Sequence, residues 1–230
     1  MIAGQVLERI ENAVREVNKE LDENNSSAQW ENLSEEELFW ELSSCIIGSR
    51  VTFEKAKAVS ELIKHDELLS LQELIENPKK YENRVYSVLK EQKCLYAKSK
   101  ARYIVSTART IYMEEGTSIK EILKKSNDQY SARETLSDLC LGIGLKQASL
   151  FLRNIHYADN LAILDTHVIN FIRLIGLDDG SCKGLSKRLY LVYENQLRNY
   201  SEKFNTSIAK LDVSIWVVMR TISREFKWML

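Results

Sequence analysis

Apolar residues recur along this chain at intervals of three and four. Val6, Leu7, Ile10, Val14, Val17 and Leu21 form the first such stripe, and Ile208, Leu211, Ile215, Val218, Ile222 and Phe226 form the last. That spacing is the period of an amphipathic helix. Between them, Ser34 and Glu37 make the S-x-x-E pattern of a capping box, with Leu33 and Leu38 where a hydrophobic staple would put them. They predict a helix through Cys45 and Ile47 that Gly48 ends. Thr52 can cap a helix over 53–69, and the segment after it runs into Pro78, the only proline. Further helical periods fall at 81–91, 98–114, 117–125, 145–155, 166–176, 186–203 and 207–227. Nowhere does a clean two-residue alternation stand between turn signals, so the pattern predicts an all-α fold without a sheet. No internal repeat or low-complexity linker interrupts it.

Composition supports a folded chain: 230 residues, 44% of them hydrophobic, can bury one large core or two modest ones. There is no basic N-terminal region followed by an apolar run, and no apolar stretch of about 20 residues. The expectation is a soluble cytoplasmic protein that makes no use of a membrane. Cys45, Cys94, Cys140 and Cys182 are too widely spaced for a clustered zinc or iron–sulfur site, and read as reduced, buried small hydrophobes.

The formal charge of −1 conceals an uneven distribution. Residues 1–48 hold eleven acids and three bases, whereas 93–113 carry Lys93, Lys98, Lys100, Arg102 and Arg109 with no acid, and 139–158 carry Lys146 and Arg153 with none. If these basic stretches converge they make a basic cleft, a nucleic-acid surface on a neutral protein; taken singly, each reads as a solvated helix face.

The chemistry concentrates in "LCLGIGLKQASLFLRNI", Leu139 to Ile155. Two of only eight glycines, Gly142 and Gly144, stand one residue apart between a helix ending near Leu139 and another starting near Leu145. Glycine allows positive φ and close backbone approach, and the first amides of the new helix point outward, ready for an anion. Such a turn can also simply join two packed helices. Downstream, Asp165 follows Lys146 by 19 residues and His167 comes two positions later, in "NLAILDTHVINFIRLIGL".

The pattern L-G-x-G-x-K, then an apolar run ending in D-x-H, resembles the helix-hairpin-helix DNA glycosylases, and most closely their archaeal-type 8-oxoguanine DNA glycosylase/AP lyase branch. "KARYIVSTAR" at 100–109 and "LDVSIW" at 211–216 share that likeness. It extends from about Trp40 onward and is most specific over 139–172. The resemblance implies a two-lobed helix-hairpin-helix fold with a cleft between the lobes. Residues 1–48 and 156–230 would form a terminal helical lobe, 49–141 a central bundle, and 136–155 the hairpin motif at the border.

It also implies bifunctional base-excision chemistry on double-stranded DNA carrying a damaged base, carried out by a monomer. Lys146 would attack the sugar C1′ of an extruded nucleotide, because only an amine gives the imine that permits strand cleavage by β-elimination. An amine nucleophile must be neutral, and the positive end of a helix disfavours an ammonium. Asp165 would stabilise charge developing on the sugar, although an aspartate before Thr-His-Val-Ile is also a good N-cap. Gly142, Gly144, His167, Lys98, Lys100 and Arg102 would grip the DNA backbone.

No metal or other cofactor is required by this chemistry, but in this family hairpin carbonyls commonly hold a monovalent cation against a DNA phosphate. Trp216 and Asp212, four apart on the last helix, are candidates for stacking on the base and reading its edge. Arg50, beside Ser49, stands where the family usually has an amide-bearing residue to fill the gap left by the flipped base. The branch typically ends in a lysine, whereas here Lys227 is followed by Trp228, Met229 and Leu230. Two alternatives stay open: the same chemistry on another damaged base, or a non-catalytic DNA-binding module that keeps the hairpin for its phosphate grip.

Overall fold

Twelve α-helices account for most of the described residues of the computed structural model, which are 2–21, 30–64, 70–178 and 184–225. The start of the loop expected after the first helix, the end of the helix expected to run to 69, Cys182, and the segment from Phe226 to Leu230 with Lys227 lie outside the described residues. In chain order the helices are α1 (Ile2–Glu20), α2 (Glu35–Ile47), α3 (Phe53–Lys64), α4 (Leu71–Glu76), α5 (Pro78–Glu91) and α6 (Ala97–Ala108). They continue with α7 (Ile119–Lys125), α8 (Gln129–Leu139), α9 (Leu145–Asn154), α10 (Thr166–Leu174), α11 (Lys187–Ser201) and α12 (Ile208–Glu225). No strand occurs among the described residues, as the hydrophobic pattern predicts.

The chain divides into two compact units: Met1–Ser27 with Ala158–Leu230, and Ala28–Tyr157. In the central unit, 28–157, α2 is the organising element. Leu38, Phe39, Trp40, Leu42, Cys45, Ile46 and Ile47 are all buried, so the helix is apolar nearly all round, and it packs on α3, α6, α7 and α9. Each fully buried large aliphatic or aromatic side chain there contributes roughly 1.5–3 kcal/mol. The Ser34–Glu37 capping box forms as expected at its start. Glu35, one residue on, accepts from the Tyr112 hydroxyl at 2.7 Å and from the amides of Ile119 and Lys120 at 2.6 and 3.2 Å, tying α2 to the start of α7.

Two expectations change here. Residues 28–48 belong with the central bundle rather than with the termini, because the all-round apolar surface of α2 is covered by central helices. The helix expected over 98–114 is regular only to Ala108; Arg109–Glu114 widen into a π-helical turn, with Glu115 N–H bonded to Thr110 O and Thr117 N–H to Ile111 O. As expected, α4 stops at Glu76, just short of Pro78, with Asn77 out of the helical region; Pro78 is itself the first residue of α5, where its missing N–H has no intrahelical partner to lose.

The terminal unit is built round α12, which packs against α1, α10 and α11. Ile208, Leu211, Ile215, Val218 and Met219 form its buried stripe. Buried Asn18 on α1 takes the Thr206 and Ser214 hydroxyls at 3.1 and 3.5 Å, and the Arg15 guanidinium lies 4.4 Å over the Phe204 ring.

Candidate functional site

In the central unit, α8 ends at Leu139, and Ile143 N–H turns back to Cys140 O at 3.1 Å, closing a tight hairpin before α9. The two glycines have different reasons to be there. Gly142 has φ +86°, and a Cβ on it would lie 2.5 Å from Tyr103 Cδ2 and 3.2 Å from Tyr103 Cβ. Both the left-handed conformation and the approach of α6 therefore exclude a side chain. Thr107, one turn beyond Tyr103, donates to Leu141 O at 3.5 Å, so α6 is the platform on which the hairpin rests. Gly144 is ordinary extended backbone at the N-cap of α9, where a Cβ would meet only Gln147 Oε1 at 3.8 Å. No side chain caps α9, so its first amides point outward without an intrahelical acceptor.

Lys146 is half-buried in the first turn of α9, with no hydrogen-bond or ion-pair partner among the described residues of its own unit. Its neighbourhood is read from Cys45: burial pushes that thiol well up, Glu41 adds to the effect and Lys146 opposes it, so both charges lie near the buried sulfur. Glu41 also accepts from Asn154 at 2.7 Å, fastening α2 to the far end of α9. Cys45, Cys94 and Cys140 are free and buried, with burial raising the Cys140 thiol to about 12, as fits small hydrophobes.

The basic stretch divides in two. Lys98 and Arg102 are exposed on α6, the latter 5.6 Å from the Tyr103 ring, beside the residue that supports the hairpin. Lys100 is not on that surface. It is 3% exposed, and its ammonium donates to Ile47 O at 2.8 Å, closing the C-terminal end of α2. At helical spacing Lys98 and Arg102 flank the solvent side while Lys100 turns inward, and its burial lowers its pKa. Arg50 is exposed in the turn between α2 and α3, at φ 56°, with its guanidinium 5.7 Å from the exposed Tyr96 ring.

In the terminal unit, Asp165 caps α10: one carboxylate oxygen, Oδ1, accepts from both His167 N–H and Val168 N–H at 2.9 Å. Among the described residues of this unit no donor is bonded to Oδ2, and the side chain is half-buried. His167 is half-buried, with Nδ1 enclosed and without a partner among the described residues.

Asp212 departs from expectation. It is 1% exposed, and its Oδ2 accepts Ile163 N–H at 2.5 Å, so the carboxylate is engaged inside the unit rather than presented to a base edge. Trp216, one turn on, is half-buried, and the Arg220 guanidinium lies 4.7 Å over its ring. The structure thus groups Gly142, Gly144, Lys146, Lys98, Arg102 and Arg50 in one unit, and Asp165, His167, Asp212 and Trp216 in the other. Tyr103 and Glu41 carry no local signal in the sequence that sets them apart from other helix residues. Glu194 had a signal: it falls on the stripe of Tyr190, Tyr193 and Leu197, where a carboxylate must find a buried partner.

A family model described as 8-oxoguanine DNA glycosylase, of the helix-hairpin-helix type, matches residues 17–206. The 8-oxoguanine DNA glycosylase/AP lyase of Saccharolobus solfataricus is 36% identical over 187 residues, covering 80% of this chain and 84% of that one. Its counterpart in Methanocaldococcus jannaschii is 35% identical over 189 residues, covering 81% and 82%. The crystal structure of the M. jannaschii 8-oxoguanine glycosylase/lyase in complex with 15mer DNA containing 8-oxoguanine superposes with a TM-score of 0.71 at 28% identity, covering 93% of this chain and 90% of that one. The 8-oxoguanine DNA glycosylase of Thermotoga maritima gives 0.73 at 29% identity, covering 94% and 96%. With the matched segment running from α1 through α11, the hairpin, Lys146 and Asp165 all fall inside it, and the chain belongs to the helix-hairpin-helix 8-oxoguanine DNA glycosylase family.

Proposed function

We propose that this protein excises 8-oxoguanine from double-stranded DNA and cleaves the strand at the resulting site, a DNA glycosylase/AP lyase of base excision repair with Lys146 as its nucleophile. The observation that carries the assignment of Lys146 is its place in the first turn of α9, behind an uncapped glycine hairpin, with an amine unpaired within its unit. Nζ forms a bond to C1′ as the bond from C1′ to the base breaks, and the base leaves with a proton. The sugar ring opens to an imine, loss of a C2′ proton expels the 3′-phosphate, and water releases the lysine. Asp165 contributes negative charge as C1′ becomes cationic and carries a proton at Oδ2, while Oδ1 stays with the helix.

The outward amides of α9 and the exposed Lys98 and Arg102 suit backbone phosphates, as does His167. Arg50, exposed beside Tyr96, suits the gap in the stack, and Trp216 suits a base face. Main-chain carbonyls of the hairpin are hard oxygen donors of the kind a monovalent cation takes, and Cys140 and Leu141 each have one hydrogen bond and one further lone pair. Such an ion would supply a positive charge to a phosphate there. The protein acts on DNA as a monomer in the cytoplasm in this reading, and among the described residues no helix is long and apolar enough to cross a membrane.

The test is borohydride trapping on duplexes carrying 8-oxoguanine or other lesions. The wild-type protein gives a covalent adduct with the 8-oxoguanine duplex. Lys146→Gln gives none, while duplex affinity stays within about three-fold, since one charge is part of a multi-phosphate contact. An adduct in the variant means that another amine is the nucleophile. Trapping only with a different lesion moves the specificity, and no trapping at all leaves a binding module.

A further inference from the structure

Between the hairpin helix and α10 the chain runs through the interior of the terminal unit without regular structure. Leu161, Ala162, Ile163 and Leu164 are all buried, and none belongs to a helix or strand. Buried amides and carbonyls outside regular structure need partners, and here side chains of α11 and α12 provide them. Arg198 Nη2 donates to Asn160 O at 3.2 Å, and its Nε donates to the Asn160 side chain at 3.2 Å. Ala162 N–H donates to Glu194 Oε1 at 3.0 Å, and the Tyr190 hydroxyl donates to Ala162 O at 2.6 Å. Ile163 N–H donates to Asp212 Oδ2 at 2.5 Å, and Leu164 N–H reaches the Tyr190 oxygen at 3.5 Å. The next residue is Asp165.

We infer that this segment is a rail that fixes the Asp165 carboxylate, and that Tyr190, Glu194 and Asp212 are positioning residues for it. Two sets of bonds meet at Asp165. The rail sets where its Cα lies, and the His167 and Val168 amides set the rotation of its side chain through Oδ1. With both fixed, Oδ2 is held in one place without searching. Catalytic groups lose rate steeply with small displacement, on the order of 100-fold for about 1 Å, so the rail acts on the chemical step more than on DNA binding. Ordinary core packing does not need charged side chains here. A buried carboxylate is costly unless its hydrogen bonds are made, yet Glu194 and Asp212 are 2% and 1% exposed and each spends an oxygen on this one segment.

The inference rests on Asp165 taking part in the reaction, and the experiment separates the two. Tyr190→Phe keeps the ring and removes the hydroxyl from Ala162 O and Leu164 N–H. Glu194→Leu orphans Ala162 N–H, and Glu194→Gln keeps an acceptor for it. Single-turnover excision on an 8-oxoguanine duplex, duplex Kd and Tm are measured for each, alone and combined with Asp165→Asn. Val14→Ala, a cavity in the buried face of α1, serves as a control for general loss of stability.

Tyr190→Phe and Glu194→Leu should lower the single-turnover rate by roughly 10- to 100-fold with Kd within about two-fold. Glu194→Gln should recover most of that rate, and Val14→Ala should lower Tm without changing it. In the Asp165→Asn background Tyr190→Phe should have no further effect, because it acts through a group already removed. Wild-type rates in Tyr190→Phe, or effects that multiply with Asp165→Asn, overturn the rail while leaving Asp165 in place. A wild-type rate in Asp165→Asn alone overturns the role of Asp165 and the rail with it. Should Glu194→Leu fail to fold, Tyr190→Phe decides.

Discussion

Asp165 shows how one side chain can serve as cap and reactant together. A carboxylate has two oxygens, and the two first-turn amides of α10 both use Oδ1. Asparagine retains that oxygen, and at an N-cap it is as good as aspartate. It replaces the other by an NH2 group that can neither carry negative charge nor take a proton. Asp165→Asn should therefore change stability by no more than about 1 kcal/mol, the interaction of the lost charge with the helix terminus. Single-turnover excision should fall roughly 100- to 1000-fold, in line with removing one preorganised electrostatic group. Thermal melting and single-turnover assays on the same preparation check both halves. Equal losses in the two would make the residue a cap alone. Aspartate at this position is ambiguous in sequence because both roles call for the same residue type, and only the structure shows that the cap leaves Oδ2 unused.

At the scale of elements, the helix-hairpin-helix is a test of why two glycines stand so close together. Gly142 answers to the protein itself, through φ +86° and the ring of Tyr103, whereas at Gly144 a Cβ would touch nothing nearer than 3.8 Å. Gly142→Ala should destabilise the central unit by roughly 1–3 kcal/mol for the left-handed conformation alone, with the contact to Tyr103 adding to it. Gly144→Ala costs only the poorer capping of alanine, about 1 kcal/mol or less, but places a methyl group beside the outward amides of α9. Its larger effect should be on duplex affinity, measured by titration at fixed salt. If Gly144→Ala binds as the wild type does, no phosphate approaches those amides closely.

The hairpin was legible from "LGIGLK", since glycine spacing and a following apolar period are local properties. So were the Ser34 box, the start of α9 and most helix limits, which follow from caps and periodicity. The supports were not. Tyr103 under Gly142, and Tyr190 and Glu194 along the segment before Asp165, act across separations of 26 to 39 residues, and one sequence carries no record of which distant side chain will meet which backbone. The inward turn of Lys100 is a middle case. Its stripe neighbours Ile104 and Thr107 are buried, so helical geometry pointed inward while charge suggested the surface.

For the molecule as a whole, a net charge of −1 gives no long-range attraction to DNA, so binding must come from where the bases are displayed. On α6, the acid-free stretch displays Lys98 and Arg102 and withdraws Lys100 to Ile47 O. Each phosphate neutralised on B-DNA contributes about 0.9 to the slope of log K against log salt. Lys98→Ala and Arg102→Ala should therefore each reduce the slope by about one, weakening damaged and undamaged duplexes alike, because phosphate contacts position without reading a base. Lys100→Met should leave the slope unchanged and instead lower stability by roughly 1–3 kcal/mol, as Ile47 O loses its donor. Burial lowers the pKa of Lys100 in the folded protein, so between the folded and unfolded values the unfolded chain binds more protons. Stability attributable to this residue then rises with pH across that window, a slope Lys100→Met removes. Titrations at several salt concentrations, with melting curves at several alkaline pH values, separate the three bases. A slope unaltered in the Lys98→Ala/Arg102→Ala double variant would leave this face of α6 to solvent.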